Sequence, residues 1–488
     1  MREYTDRALD TAASRGATYA DVRIVRRENQ DIGVKNGVVQ ALTLAGDFGF
    51  GVRVIADGAW GFASSNRLTL DEVDRVAGQA VEIAKASARV NEADVDLGPA
   101  EVHVGRYRTP TEMDPFEVSL EDKIDVLLAA DKEARAVDGV AMAQGTMGFL
   151  RETKTFASSE GSFVEQTIIE SGLGIVVRAI AEGEMQQRSY PNSFGRHQGT
   201  AGYEFIERWD LPRHARQTAE EAVALLGAPQ CPSRVTTLVL DGPQLALQVH
   251  ESCGHPIELD RVFGTEAAYA GTSFLTPEKY GVFRYGSEVV NLVSDAVTPT
   301  GLGTYGFDDE GVPGQETDIV RNGIFVGYLT SRESASQLRV IHPDAPERSN
   351  GAMRADGWNR VPIIRMSNVS LMPGEWRLDD LIADTDEGVY MLTNKSWSID
   401  DRRLNFQFGT ELAYEIKGGK RGRMFKNATY TGITPQFWGG CDAICSADHW
   451  NVWGTANCGK GQPGQRAHTG HGTAPARFRN VQIGVMSA

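Results

Sequence analysis

Two histidines and a glutamate stand close together in residues 250–255, which read His-Glu-Ser-Cys-Gly-His. Imidazole nitrogens are common metal ligands, and a carboxylate beside them can act as a general base towards water. The usual zinc-peptidase motif spaces its histidines four residues apart on one helix face. Here the spacing is five, which on an α-helix rotates the second imidazole by roughly 140° from the first. An undistorted helix therefore cannot direct both imidazoles at one ion.

The residues around the second histidine predict a distortion of this helix. Apolar residues at helical spacing precede His250, so the first histidine is expected near a helix end. Gly254 is conformationally permissive, and Pro256 disfavours helical angles for the residue before it. We therefore expect the helix to break or bulge at its last turn and to swing His255 round towards His250.

A cysteine far along the chain offers a third ligand. Cys458 begins a glycine-rich segment that reads Cys-Gly-Lys-Gly-Gln. Two imidazoles and a thiolate make the three protein ligands of a catalytic zinc site, in which the fourth position is left for water. The expected ligands are therefore His250, His255 and Cys458, and Glu251 is the expected general base.

Several further polar residues could bind a cation, and their roles stay open at this point. They are the histidines His468 and His471, the acidic triplet Asp308, Asp309 and Glu310, and the cysteines Cys441 and Cys445. The two cysteines are incomplete for structural zinc, which usually has four ligands, so buried thiols are expected. The acidic triplet could equally form a solvated turn, and loop histidines are more often exposed than bound to a metal.

The composition argues against nucleic-acid and membrane partners. The 488 residues include 65 acidic and 49 basic side chains, which gives a formal net charge of −16, whereas phosphate binding needs clustered Lys and Arg. No apolar run approaches the roughly 18 residues of a membrane helix. The charged N-terminus does not resemble a signal peptide, and five cysteines do not make a disulfide framework. We therefore expect a cytoplasmic protein with free thiols.

The apolar patterning predicts an α+β protein of three units. N-terminal mixed units with antiparallel strands cover 1–95 and 96–228, the second packed with the first, and a β-rich catalytic domain covers 229–488. The expected helices are 4–14, 68–88, 120–135, 214–226 and 378–383, and the expected early strands are 20–27, 33–42 and 48–55. Residues 49–58 and 172–183 look alike, which suggests a duplicated strand–turn unit.

The segments that carry the candidate chemistry resemble the TldD/PmbA family. The pattern His-Glu-x-x-Gly-His-x-x-Glu-x-Asp over 250–260 is similar to the family pattern, as are residues 307–313, 362–368 and 458–462. These matches follow one another in order along nearly the whole chain. In sequence the chain thus resembles the active, metal-binding TldD-type subunit of that family.

This resemblance implies that zinc is held by His250, His255 and Cys458 and that Glu251 is catalytic. It further implies peptide substrates, including leader peptides, and a homodimer or a heterodimer with a related metal-free subunit. We therefore expect a zinc-dependent metallopeptidase that hydrolyses unstructured peptides. The alternatives are a zinc amidohydrolase acting on a non-peptide substrate and a non-catalytic, zinc-stabilised regulatory subunit.

Overall fold

Eight strands from the first half of the chain form one sheet in the computed structural model, which describes residues 1–484. These strands are β1 (Tyr19–Lys35), β2 (Val38–Ala56), β3 (Ala59–Ser65), β4 (Val104–Arg108), β5 (Val140–Ser158), β6 (Phe163–Ala181), β7 (Glu184–Tyr190) and β8 (His197–Gly199). Their order is β3-β2-β1-β5-β6-β4, and β7 and β8 also pair with β6. Only the β4–β6 pairing is parallel among these strands.

Five helices pack against this sheet. They are α1 (Arg2–Ser14), α2 (Leu70–Ser87), α3 (Leu120–Arg135), α4 (Glu204–Trp209) and α5 (Leu211–Gly227). Apolar residues of α1 and α2 share a core with β1 and β2, and those of α3 and α5 share another core with β5 and β6. Thr69 caps α2, since its hydroxyl accepts the backbone N–H of Glu72.

The first two strands are longer than the sequence pattern predicts. Residues 20–27 and 33–42 were expected to form separate strands, but β1 runs without a break to Lys35 and the chain reverses at Asn36 and Gly37. Both turn residues have positive φ, 50° and 79°. A tight hairpin turn of this kind requires that conformation, and Asn followed by Gly adopts it most readily.

The resemblance between residues 49–58 and 172–183 corresponds to a repeated hairpin. In the first copy β2 turns through Asp57 and Gly58 into β3, and in the second β6 turns through Glu182 and Gly183 into β7. All four turn residues have φ between 51° and 83°. The returning strands β3 and β7 each have seven residues.

The second half of the chain is rich in strands, as expected for an α+β fold with a β-rich C-terminal domain. Its strands are β9 (Arg234–Leu240), β10 (Leu292–Asp295), β11 (Glu316–Arg321), β12 (Ile324–Phe325), β13 (Met353–Arg354), β14 (Ile363–Ile364), β15 (Asn368–Leu371), β16 (Glu387–Ile399), β17 (Asn405–Lys417), β18 (Lys420–Phe425), β19 (Thr429–Ile433), β20 (Cys441–Ile444), β21 (Asn451–Lys460), β22 (Gln465–Thr473) and β23 (Ala476–Ile483). Its helices are α6 (Gly242–Val249), α7 (Leu259–Val262), α8 (Ala267–Ala270), α9 (Arg332–Ile341), α10 (Leu378–Ala383) and α11 (Thr434–Gly439).

Two sheets of this domain enclose α6. One sheet has the order β12-β11-β10-β15-β22-β21, and the other has the order β16-β9-β23-β19-β17-β18 with β20 beside β23. Helix α6 contacts β16 of the second sheet and β22 of the first. Its Leu245 and Val249 are fully buried in the core that both sheets share. No helix within residues 1–484 is long and apolar enough to cross a membrane.

Buried ion pairs join the N-terminal sheet to the C-terminal domain. Asp309 lies 2.6 Å from Lys154 of β5 and 3.3 Å from Arg23 of β1, and its side chain is fully buried. Glu310 lies 3.3 Å from Arg53 of β2. Burial would raise the pKa of Asp309, but Lys154 and Arg23 hold that pKa below its ordinary value. The acidic triplet, which includes these two residues, is thus buried at the contact between the domains and is not a solvated turn.

Asp309→Ala should destabilise the protein strongly, because it leaves Arg23 and Lys154 buried without their shared counter-charge. Removing one partner of a buried ion pair typically costs about 3–5 kcal/mol. We expect that loss in the free energy of unfolding, measured by urea denaturation. Asp318→Ala, which breaks an exposed pair with Arg321, should leave the transition unchanged. Equal stability of the two variants would contradict the role of the junction.

Candidate metal centre

The first helix of the C-terminal domain ends in a π turn. Helix α6 begins at an N-cap, where the carboxylate of Asp241 accepts the backbone N–H of Gln244 at 2.8 Å. The chain then continues as a π turn over His250–Gly254, in which the N–H of His255 donates to the carbonyl of His250. This hydrogen bond joins residues five apart, whereas an α-helix joins residues four apart.

The π turn brings the two histidines to the same side of the chain, with ring centroids 5.0 Å apart. The predicted bulge is confirmed, but one of its expected causes is wrong. His255 keeps helical angles (φ −60°, ψ −38°) although Pro256 follows it. The wider ring of the π turn accommodates the extra residue instead. Gly254 supplies space, since a Cβ atom there would lie 2.0 Å from Sδ of Met366.

Cys458 reaches the histidines from the hairpin of β21 and β22, where strand pairing is irregular between Thr455 and Cys458. Its Sγ lies 3.6 Å from Nε2 of His255. One donor atom each of His250, His255 and Cys458 lie within 4.8 Å of one another, and all three residues are buried. Across residues 1–484, no other group of three or more such side chains is placed to share an ion.

The spacing of these atoms suits a tetrahedral zinc ion. Zinc–nitrogen and zinc–sulfur distances of about 2.0 and 2.3 Å at a tetrahedral angle place the two donor atoms about 3.5 Å apart. The separation of Nε2 of His255 and Sγ of Cys458 is 3.6 Å. Imidazole and thiolate are also donor types that zinc prefers. The residues present therefore fit this ion.

A chain of hydrogen bonds determines which nitrogen His250 offers to a metal. Nδ1 of His471 lies 2.9 Å from the carbonyl oxygen of Val369 and must donate, because a carbonyl oxygen only accepts. Nε2 of His471 is then the acceptor for Nδ1–H of His250, 2.7 Å away. The lone pair of His250 is left on Nε2. Such outer partners fix the orientation and tautomer of metal-binding histidines.

Glu258 has the same function for His255, since its Oε2 lies 2.9 Å from Nδ1 of that ring. The lone pair of His255 is therefore on Nε2, the nitrogen nearest to Cys458. Burial lowers the pKa of His250 and holds the pKa of His255 well below its ordinary value. Both rings are thus neutral near pH 7, which is the form that binds metals.

A guanidinium lies beside the thiol of Cys458. Nη2 of Arg365 lies 3.1 Å from Sγ of Cys458. Burial would raise the pKa of the Cys458 thiol, but the guanidinium of Arg365 helps to hold that pKa below its ordinary value. Two residues further on, the buried Lys460 donates to Asp260 at 2.6 Å. The guanidinium of Arg365 favours a thiolate at this position, whereas the charge of Lys460 is paired with Asp260.

Glu251 faces a cavity of about 1070 Å³ between the N-terminal sheet and the C-terminal domain. Its carboxylate pairs with the guanidinium of Arg403, which lies in the turn between β16 and β17. All four predicted site residues lie on the cavity wall, and the N-terminal sheet contributes Arg27, Glu152 and Glu170 to the opposite side. The structure thus brings together all four residues that the sequence predicts as metal ligands and general base.

The two histidines after Cys458 have different positions. His471 is buried behind His250, whereas Nδ1 of His468 lies 2.7 Å from the carboxylate of Glu170 on β6. Neither belongs to the group placed to share an ion. The sequence leaves the role of His471 open and gives no signal for Arg403, which is 152 residues from its partner Glu251.

Models of three family domains match consecutive parts of the chain. They are described as PmbA/TldA metallopeptidase domain 1 (residues 20–84), central domain (114–226) and C-terminal domain (233–484). The last one alone spans more than half of the chain. This chain belongs to the PmbA/TldD metallopeptidase family.

Relatives in the PmbA/TldD family match over most of their length. A metalloprotease of Methanocaldococcus jannaschii is 30% identical over 416 residues, which are 85% of this chain and 86% of the relative. A zinc metalloprotease TldD homolog of Saccharolobus solfataricus is 22% identical over 87% of this chain and 88% of its own length. The crystal structure of TldE from Thermococcus kodakarensis has the same fold, with a TM-score of 0.76, 17% identity and coverage of 99% of this chain and 100% of TldE.

The other buried cysteines of this PmbA/TldD chain lie apart from the metal centre. Cys253 points to the hydroxyl of Tyr285, 3.1 Å from its sulfur, and burial raises its pKa to about 12. Burial also raises the pKa of Cys441 and of Cys445. These are buried thiols, as expected, and they are protonated at neutral pH.

Cys458→Ala should strongly weaken zinc binding, because it removes a thiolate donor from a three-residue set. Cys441→Ala should keep the parent zinc content, since that thiol lies outside the cluster. Zinc per chain, measured by atomic absorption after dialysis against metal-free buffer, separates the two variants. Loss of zinc from Cys441→Ala and its retention by Cys458→Ala would show that Cys458 is not the ligand.

His471→Ala should weaken zinc binding about 10- to 100-fold, because His250 loses the partner that fixes its tautomer. His468→Ala is the matched control, since this neighbouring histidine contacts Glu170 and should bind zinc as tightly as the parent does. Competition with a chelating dye gives both affinities. An unchanged affinity in His471→Ala would show that the hydrogen-bond chain is dispensable.

Proposed function

We propose that this chain is a zinc-dependent peptidase that hydrolyses unstructured peptides, including leader peptides. In this proposal His250, His255 and Cys458 hold the ion, and Glu251 is the general base. The observation that carries it is the convergence of three buried metal donors and one carboxylate on the wall of a single cavity. Structural zinc sites are usually closed by four protein ligands, so a three-residue set favours a catalytic role.

A zinc ion in this position would supply Lewis acidity, which makes water a stronger acid and polarises a carbonyl group. Glu251 is expected to accept the proton that the attacking water releases and to return it to the leaving amine nitrogen. Its place next to His250 in the π turn keeps the carboxylate beside the metal donors. Glu258 and His471 hold the two imidazoles in the tautomers that this arrangement needs.

The cavity supports the preference for unfolded substrates. Strand β21 lies at the edge of its sheet, and its residues 454–459 line the cavity beside the thiol. An edge strand can bind an extended peptide through backbone hydrogen bonds, which read sequence only loosely. A folded protein cannot offer several residues of free extended backbone without local unfolding, whereas a disordered segment can.

The proposal includes the assembly that the family resemblance implies. We propose that the chain works as a homodimer or as a heterodimer with a related metal-free subunit. Neither nucleic acid nor a membrane is expected as a partner of this strongly acidic chain. Sedimentation of the purified chain, alone and mixed with such a subunit, tests the assembly, and a monomer under both conditions would remove this part.

Glu251→Gln should retain about one zinc per chain and lose roughly 10²- to 10⁴-fold in turnover, because an amide cannot accept the proton. The exposed Glu316→Gln on β11 is the control and should behave as the parent does. Mass spectrometry of a denatured-protein peptide mixture, with and without chelator, gives the turnover. Parent-like turnover in Glu251→Gln would remove its role, and loss of zinc would make Glu251 a ligand.

The same assay tests the substrate class. A small domain and its unfolded variant serve as paired substrates for the zinc-loaded parent. We expect cleavage of the unfolded variant only. Equal cleavage of both would contradict the requirement for an extended backbone, and cleavage of neither, with the peptide mixture also intact, would contradict the peptidase proposal itself.

A further inference from the structure

The turn between β16 and β17 holds Arg403 in a fixed and uncommon conformation. Arg403 has φ of 64°, in the left-handed region that non-glycine residues rarely adopt. The turn is closed by the carboxylate of Asp400, which accepts the N–H of Leu404 at 2.8 Å. Its outer side is anchored by the hydroxyl of Thr434, which donates to the carbonyl of Arg403 at 2.9 Å. Strained residues that are held so firmly are often found at functional sites.

The Arg403 guanidinium has donors that the protein leaves unused. Nη1 donates to Glu251, but the buried Nε–H has no hydrogen-bond partner among residues 1–484. An unsatisfied buried donor is unfavourable, so a protein rarely keeps one without a use for it. The side chain lines the same cavity as Glu251, His250 and Cys458. Nε is closed to solvent, whereas Nη2 also has no hydrogen-bond partner among residues 1–484 and is not closed off, so Nη2 is the donor that a bound peptide group could reach.

Arg403 lies where a cation could stabilise the negative charge that peptide hydrolysis creates on the carbonyl oxygen. As the oxygen of water bonds to the carbonyl carbon, Glu251 takes the proton and the π electrons of the carbonyl move onto its oxygen. When the carbonyl re-forms, the carbon–nitrogen bond breaks and the amine nitrogen takes the proton from Glu251. Preorganised donors beside the oxygen that becomes negative stabilise this transition state.

We propose that Arg403 is a catalytic residue that donates hydrogen bonds to the carbonyl oxygen of the scissile peptide group. Its ion pair with Glu251 fixes the distance between this donor and the general base. The inference rests on the proposed peptidase function and adds to it a residue that neither the metal-binding motif nor its neighbours contain. A guanidinium can make both contacts at once because its donors form a planar fork.

Arg403→Ala should lower kcat about 10²- to 10³-fold with little change in KM, as removal of an oxyanion donor does. Zinc content should stay at the parent value, and the variant should still unfold in one cooperative transition. Arg403→Lys should recover little, because an ammonium lacks the fork. Free guanidinium ion added to Arg403→Ala should restore at least about tenfold, since it can occupy the vacated space. The exposed neighbour provides the control, Arg402→Ala, which should match the parent.

Binding of a phosphinic pseudopeptide, which carries a phosphinate in place of the scissile amide, gives a readout that does not depend on turnover. By calorimetry on zinc-loaded protein, Arg403→Ala should bind it at least about tenfold more weakly than the parent does, whereas binding of the amine product, which lacks the scissile carbonyl, should be unchanged. Parent activity with an equally active Arg403→Ala would overturn this inference alone. A loss of kcat accompanied by loss of zinc, or without guanidinium rescue, would overturn it in favour of a structural role. An inactive parent would overturn the peptidase proposal and this inference together.

Discussion

The hydrogen bond from the N–H of His255 to the carbonyl of His250 sets the geometry on which the metal centre depends. With the α-helical bond to the preceding turn instead, the second imidazole would point roughly 140° away from the first. The π turn is held by contacts on every side. Met366 fills the space over Gly254, and Glu258 and His471 each fix one ring. The π turn is thus surrounded by the side chains that orient its two imidazoles.

The cavity beside this turn exists because two halves of the chain are joined through buried charges. Lys154 and Arg23 of the N-terminal sheet lose water on burial, and Asp309 is the acidic partner from the C-terminal domain that offsets this loss. Each charged group therefore allows only a narrow range of positions for its partner. The junction fixes the separation of the sheet from the C-terminal domain, and with it the width of the cavity. Apolar packing alone would specify that separation less strictly.

Local patterns in the sequence predicted the local features well. Helices α3 and α10 have the expected bounds. The cap of α2 is a threonine, Thr69, which is a residue type preferred at the start of a helix. The hairpin at Asn36 and Gly37 was missed because apolar residues on both sides continue the strand alternation. At the site, His250, Glu251 and His255 were found because they are neighbours in the chain, whereas Cys458 depended on its donor chemistry and on family resemblance.

The remaining residues of the site could not be predicted from the sequence, because they reach the metal donors only through the order in which the strands pair. His471 reaches His250 since β22 runs parallel to β15 and brings it beside Val369. Arg365 and Arg403 come from other loops of the same domain and meet the cluster only after the sheets have formed. Nothing in the periodicity of one sequence fixes which of fifteen strands will be neighbours.

The strand order also has a consequence during synthesis. The first strand of the C-terminal domain, β9, pairs with β23, and the thiol of the metal centre follows His255 by 203 residues. Pairings between such distant segments form late, because a long loop must close before they are stabilised. When His250 and His255 have left the ribosome, strands β21 and β23 have not yet been synthesised. The growing polypeptide, extended and unfolded, is thus never next to a complete set of these metal donors of its own.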